Sequence, residues 1–95
     1  MRLVWSPEAL QDLADIRAFI SQDNPDAAKA VVARIVRLVG AQLPDNPESG
    51  RSGRVPGTRE LVIVNSPFIV PYRVRGEYID VLRVYHASRM WPDSF

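Results

Sequence analysis

Residues 58–92, TRELVIVNSPFIVPYRVRGEYIDVLRVYHASRMWP, constrain the fold more than any other stretch, because they read as three short strands in succession. Runs 58–64, 68–75 and 78–86 are dominated by Val, Ile, Tyr and Phe. Asn65-Ser66-Pro67 and Gly76-Glu77 separate them, as a meander of hairpins requires. Alternation in the middle run puts Phe68, Val70, Tyr72 and Val74 on one face and Ile69, Pro71, Arg73 and Arg75 on the other. The first set is a core face, and Tyr72 and Leu82 are expected in the core. The second carries two guanidinium groups in the middle of a sheet. Pro71 lacks a backbone donor, so it must sit at a bulge or at a ladder position facing outward.

The first half of the chain reads as a strand and two helices. Leu3-Val4-Trp5 is a short apolar run, and Ser6-Pro7-Glu8 then supplies a cap, a first-turn proline and an acid at the positive dipole end. Leu10, Leu13, Ile16 and Ile20 recur at helical spacing, with Gln11, Asp12 and Asp15 off that stripe. Asn24-Pro25-Asp26 repeats the starting chemistry. The second helix runs to about residue 42, with Ala28, Val31, Val32, Ile35, Leu38 and Val39 apolar and Arg34 and Arg37 outside the stripe. So short a connection makes the two helices an antiparallel pair. Residues 43–57, with three prolines and three glycines, form a loop, and residues 87–95 a tail in which Trp91-Pro92 packs locally. The expected order is β-α-α-β-β-β: an α+β fold, one domain over residues 1–95, with a helical hairpin packed on a mostly antiparallel sheet.

Composition excludes several function classes. With no cysteine there is no disulfide framework, thiolate metal site or cysteine nucleophile, and one histidine leaves few metal ligands. No apolar run approaches the roughly 20 residues that span a bilayer. Met1–Trp5 holds no continuous apolar segment before Pro7, so a secretory signal is not expected and the cytoplasm is the default. Gly50-Arg51-Ser52-Gly53 is too short for a phosphate-cradling loop and lacks its lysine. Net charge is +1, yet eleven of the twelve basic residues are arginine, and seven of those lie between residues 51 and 89. Arginine is the better side chain for planar contact with carboxylates and phosphates. The C-terminal sheet can therefore present a locally positive surface.

Tyr72-Arg73-Val74, a short turn, the run from Ile79 to His86 and a trailing arginine resemble the RelE/ParE toxin superfamily of bacterial toxin–antitoxin modules. The opening MRLVWSPEALQDL and the linker GRVPGTREL fit the same family, so the resemblance covers nearly the whole chain. It implies a protein antitoxin of the ParD type or similar as partner, no cofactor, no metal and no membrane. Two branches of the superfamily imply different activities. In the ParE-like branch the protein poisons DNA gyrase without chemistry of its own. In the RelE- and YoeB-like branch it cleaves mRNA on the ribosome. An inactive remnant that only binds its antitoxin is a third reading.

The resemblance carries over to particular residues. Arg73 matches an arginine that the mRNA-cleaving toxins use to stabilise the scissile phosphate, and His86 sits near a histidine that serves as general acid in YoeB-like toxins. These two are the catalytic candidates in that branch. The plain alternatives are an Arg73 paired to an acid such as Glu60 and a structural His86 at a strand end; Glu48 and Glu60 read as solvated carboxylates. Arg59, Arg73, Arg75, Arg83, Arg89 and Trp91 are the candidates for contacting the target or the antitoxin. His86-Ala87-Ser88-Arg89-Met90 resembles the ParE ending, no lysine follows Lys29, and the terminal tyrosine of the RelE type has no match in Asp93-Ser94-Phe95. These features favour the ParE-like branch.

Overall fold

The computed structural model describes residues 1–95. Strand β1 (Arg2–Trp5) leads into helix α1 (Pro7–Ser21), and α2 (Pro25–Gln42) follows. Both helices begin with the expected chemistry. Ser6 Oγ accepts from the Ala9 N–H at 3.0 Å and Asn24 Oδ1 from the Ala27 N–H at 3.1 Å, each ahead of a proline in the first turn. With Gln22–Asn24 as the only connection, α1 and α2 pack against each other, as expected.

The sheet contains β2 (Arg51–Ser52), β3 (Arg59–Val62), β4 (Phe68–Arg75), β5 (Tyr78–Val81) and β6 (Tyr85–His86) as well as β1. Its order is β1-β5-β4-β3-β2, with β6 continuing alongside β4. Every pairing is antiparallel except β1 with β5, where Arg2 lies opposite Tyr78 and Trp5 opposite Val81. The α+β class and the mostly antiparallel sheet hold. Two details differ from the sequence reading: the 43–57 loop contributes the short edge strand β2, and the last run is two strands rather than one.

Between the helices and the sheet, Ala9, Leu13, Ile35, Val39 and Leu43 meet Leu61, Ile63, Val70, Tyr72, Ile79, Val81 and Val84. Three residues expected in the core lie elsewhere. Leu10 is 53% exposed, because the buried stripe of α1 runs one position back through Ala9, Asp12 and Leu13, where the small Ala9 side chain lets the helix approach the sheet. Val74 is 42% exposed, because β3 ends its pairing at Arg59 opposite Tyr72 and leaves that end of β4 with a neighbour, β5, on one side only. Leu82 is half-buried outside the core, and Val84 takes its place.

Pro71 explains the last of these. It is fully buried in the central strand, with Glu60 opposite it on β3 and its carbonyl accepting from the Leu82 N–H at 3.0 Å. The return bond from residue 71 to the Leu82 carbonyl cannot form, since proline has no N–H. Ser6 Oγ donates to that carbonyl instead, at 2.8 Å. Beyond this point the register slips by one residue. Tyr72 pairs with Val81, but Ile69 pairs with Tyr85 and Phe68 with His86, so the last strand carries a bulge at Leu82–Val84. Asp12 holds the bulge from α1: its carboxylate accepts from Arg83 Nε and Nη2 at 2.8 and 2.9 Å and from the Val84 N–H at 2.9 Å. Helical spacing places Asp12 off the apolar stripe of α1, yet it is only 7% exposed.

Tyr72 closes the far end of the core. Its hydroxyl donates to the Pro47 carbonyl at 2.8 Å and accepts from the Gly50 N–H at 2.9 Å, which pins the loop before β2. A Cβ at Gly50 would stand 2.6 Å from the Tyr72 hydroxyl, so only glycine fits there. Burial raises the Tyr72 phenol above its ordinary pKa, outweighing the opposing pull of the Gly50 N–H and Arg59.

Two predictions follow from these contacts. Asp12→Ala removes the acceptor for three donors and should cost about 2–4 kcal/mol, a range below that of a fully buried pair because a quarter of the Arg83 side chain remains in water. Thermal melts test it, and an unchanged melting temperature would mean the bulge holds itself. Tyr72→Phe orphans the Gly50 N–H and should cost about 1–3 kcal/mol at neutral pH. Because the folded-state phenol titrates above its unfolded value, the parent should also lose stability as pH rises past about 10, and the phenylalanine variant should lack that limb of the pH profile.

Candidate functional site

The bulge decides which side chains share a surface. Strict alternation along 78–86 would carry His86 to the face that holds Arg73. The extra residue instead places His86 opposite Phe68, on the helix-facing side, where the two rings meet edge-on at 5.9 Å and 83°. Arg73 projects from the other face with Ile69 and Pro71. The two candidates for cleavage chemistry therefore project from opposite faces of the sheet.

His86 is held in a defined state. The Ser88 N–H donates to His86 Nδ1 at 3.1 Å and Ser88 Oγ lies 2.7 Å from the same atom, so Nδ1 is the acceptor and Nε2 carries the proton. The ring borders an open, largely apolar groove of about 510 Å³ between α1, α2 and the start of β4. Ile16, Phe19, Ile20, Val31 and Phe68 line it, and Phe19 is 73% exposed. Helical periodicity marked Ile16, Ile20 and Val31 as apolar, but it gave no reason to expect them to remain open to solvent rather than covered.

The arginines of the sheet and its loops separate into bound and free. Arg59 donates to the Gly50 carbonyl at 3.0 Å and supports the loop before β2. Arg75 makes a two-pronged pair with Asp80 at 2.8 and 3.1 Å, which holds the Asp80 carboxyl below the usual carboxylate range and raises the guanidinium; exposed as it is, the pair adds little stability. Arg83 is committed to Asp12, whose hydrogen bonds raise its pKa. Arg73, half-buried across from Asp80, makes no ion pair, because Arg75 already occupies that carboxylate. Arg89 is exposed, with its guanidinium carbon 4.3 Å from the centre of the Tyr85 ring.

Glu60, offered by the sequence as a solvated carboxylate or a partner for Arg73, is neither. It is 1% exposed and accepts from Arg51 Nε and Nη2 at 3.1 and 3.0 Å and from the Arg54 N–H at 2.7 Å. Trp91 packs locally as expected, edge-on to Tyr85 at 5.0 Å, with Arg54 stacked 4.2 Å from its ring centre. No three side chains of the metal-ligating types converge, and no helix is long and apolar enough to cross a membrane.

Comparison with known proteins agrees with this architecture. The model of the ParE toxin of type II toxin–antitoxin systems matches residues 3–91. A putative toxin, Y4kP, of Sinorhizobium fredii is 47% identical over 91 residues, covering 96% of this chain and 93% of that one. Toxin RelE2 of Caulobacter vibrioides is 35% identical over 89 residues, covering 94% and 98%. Among solved structures, the chromosomal ParDE toxin–antitoxin system of Pseudomonas aeruginosa superposes with a TM-score of 0.80 at 35% identity, covering 90% of this chain and 95% of that one. The chain belongs to the ParE toxin family of type II toxin–antitoxin systems.

Proposed function

We propose that this ParE-family toxin arrests growth by binding and poisoning DNA gyrase, without chemistry of its own, and that a cognate ParD-like antitoxin neutralises it in the cytoplasm. The observation that carries the first half is the separation of Arg73 and His86 by the thickness of the sheet. General acid catalysis of phosphodiester cleavage needs the acid within hydrogen-bond reach of the leaving oxygen while a cation stabilises the same phosphate. A surface poison has no such requirement; its binding energy concentrates at a few exposed contact residues.

The groove beside α1 supports the second half. An amphipathic helix recognises such a surface by setting its apolar side chains into it, and His86 and Asp15 are the polar groups on a lining that is otherwise apolar. The solved relative from Pseudomonas aeruginosa is part of a ParDE toxin–antitoxin system, which supports an antitoxin as the partner.

Purified protein should inhibit gyrase supercoiling or trap cleaved DNA, while mRNA on translating ribosomes stays intact. Codon-positioned mRNA cuts that vanish in Arg73→Ala, with supercoiling untouched, would overturn the gyrase assignment and leave the family assignment standing. Phe19→Asp should weaken the antitoxin complex by about tenfold or more, from the burial of a large aromatic contact residue. Its melting temperature should stay near the parent's, because Phe19 is largely in solvent already. Full rescue of Phe19→Asp by the antitoxin, at the same affinity as the parent, would move the antitoxin site elsewhere.

A further inference from the structure

The face opposite the helices ends in a second cleft, of about 500 Å³, beneath the residues that follow β6. Arg83, Tyr85, Arg89, Met90 and Phe95 line it, and no Asp or Glu side chain does. The guanidinium carbons of Arg83 and Arg89 lie 4.7 and 4.3 Å from the centre of the one Tyr85 ring. Trp91, edge-on to that ring, carries Arg54 in the same manner. A guanidinium stacked on an aromatic ring keeps its in-plane N–H edge free, and that edge matches two oxygens of a phosphate.

The charges are not equally available. Asp12 neutralises Arg83 from the helix side, and Arg54 shares Glu60 with Arg51, but Arg89 has no ion pair. Beside it Met90 is 91% exposed. An unpaired arginine next to a fully exposed apolar side chain is the pairing by which proteins hold a phosphate backbone and set a wedge against the groove of a duplex. An acidic protein segment would satisfy the arginines and leave Met90 without a role.

We propose that this arginine-on-tyrosine cleft binds the backbone of double-stranded DNA, with Arg89 contacting a phosphate and Met90 lying against the groove. The proposal deepens the gyrase reading and rests on it for its setting, since gyrase works on duplex DNA. Arg83 belongs to the Asp12 latch and Arg89 does not, so Arg89 is the residue to substitute.

The test is a titration of a labelled duplex of about 20 base pairs with the full chain across a salt series, for parent, Arg89→Gln and Met90→Ala. The parent should bind, and Arg89→Gln should weaken binding by about tenfold at low salt and lower the salt slope by about 1. Met90→Ala should weaken binding without changing the slope. Melting temperatures should match the parent's in both variants. A parent that fails to bind the duplex, or an Arg89→Gln variant that binds equally well with the same slope, overturns the proposal. So does a loss confined to a glutamate-rich peptide used as the competing probe. Supercoiling assays run alongside separate the two claims: duplex binding without gyrase inhibition removes the gyrase reading alone, and inhibition without duplex binding removes this one alone.

Discussion

A single missing hydrogen-bond donor, the backbone nitrogen of Pro71, shapes the functional half of this protein. In the middle of a sheet a proline leaves one carbonyl on the neighbouring strand without its partner. Here that carbonyl belongs to Leu82, and the hydroxyl that caps α1 takes the place of the absent N–H. One serine thus serves the start of a helix and the interruption of a strand at once. With the ladder broken, the strand gains a residue, and Asp12 fixes the surplus by accepting from three donors. Everything after residue 82 is displaced by one position relative to a regular strand, which sends His86 to one side of the sheet and Tyr85 to the other.

Two buried carboxylates organise the two ends of the sheet by the same logic. Glu60 gathers Arg51 and the Arg54 backbone at the β2 edge, and Asp12 gathers Arg83 and the Val84 backbone at the bulge. Each charged group is compensated by a guanidinium that remains partly in water, which lowers the desolvation cost of burying the acid. In a domain of 95 residues with a modest core, such clusters order segments that apolar packing alone would leave loose. They also explain the arginine bias. Of the seven arginines between residues 51 and 89, five are engaged with acceptors of the fold, and only Arg73 and Arg89 keep their guanidinium groups without an ion pair or hydrogen bond.

Much of this was legible in the chain. The caps at Ser6 and Asn24, the apolar stripe of α2, the meander from residue 58 onward and the α+β class all follow from local chemistry that the structure repeats. Pro71 was legible as an anomaly, but the sequence left open whether it marked a bulge or an outward ladder position. Because that choice depends on where β1 and α1 dock, the face of His86 could not be read from periodicity. Asp12 was illegible for a related reason: on its own helix it sits beside the apolar stripe, and only the approach of residues 83 and 84 turns the position into an interior one. The pairing of Glu60 with Arg51 rather than Arg73 depended on β2, a two-residue strand too short to give a periodic signal.

The parallel pairing of β1 with β5 has a consequence for how the chain is made. Arg2 lies beside Tyr78 and Trp5 beside Val81, so the first strand has no partner until the chain has been synthesised almost to its end. A ribosome releasing this protein therefore exposes a helical hairpin first, with its apolar faces uncovered and its edge strand idle. Contacts of such long sequence separation are slow to close, and the unfinished chain remains open to capture by another polypeptide meanwhile. The nascent chain can have a helical hairpin long before it has a sheet, so any activity that depends on the sheet surface must await the release of the last strands.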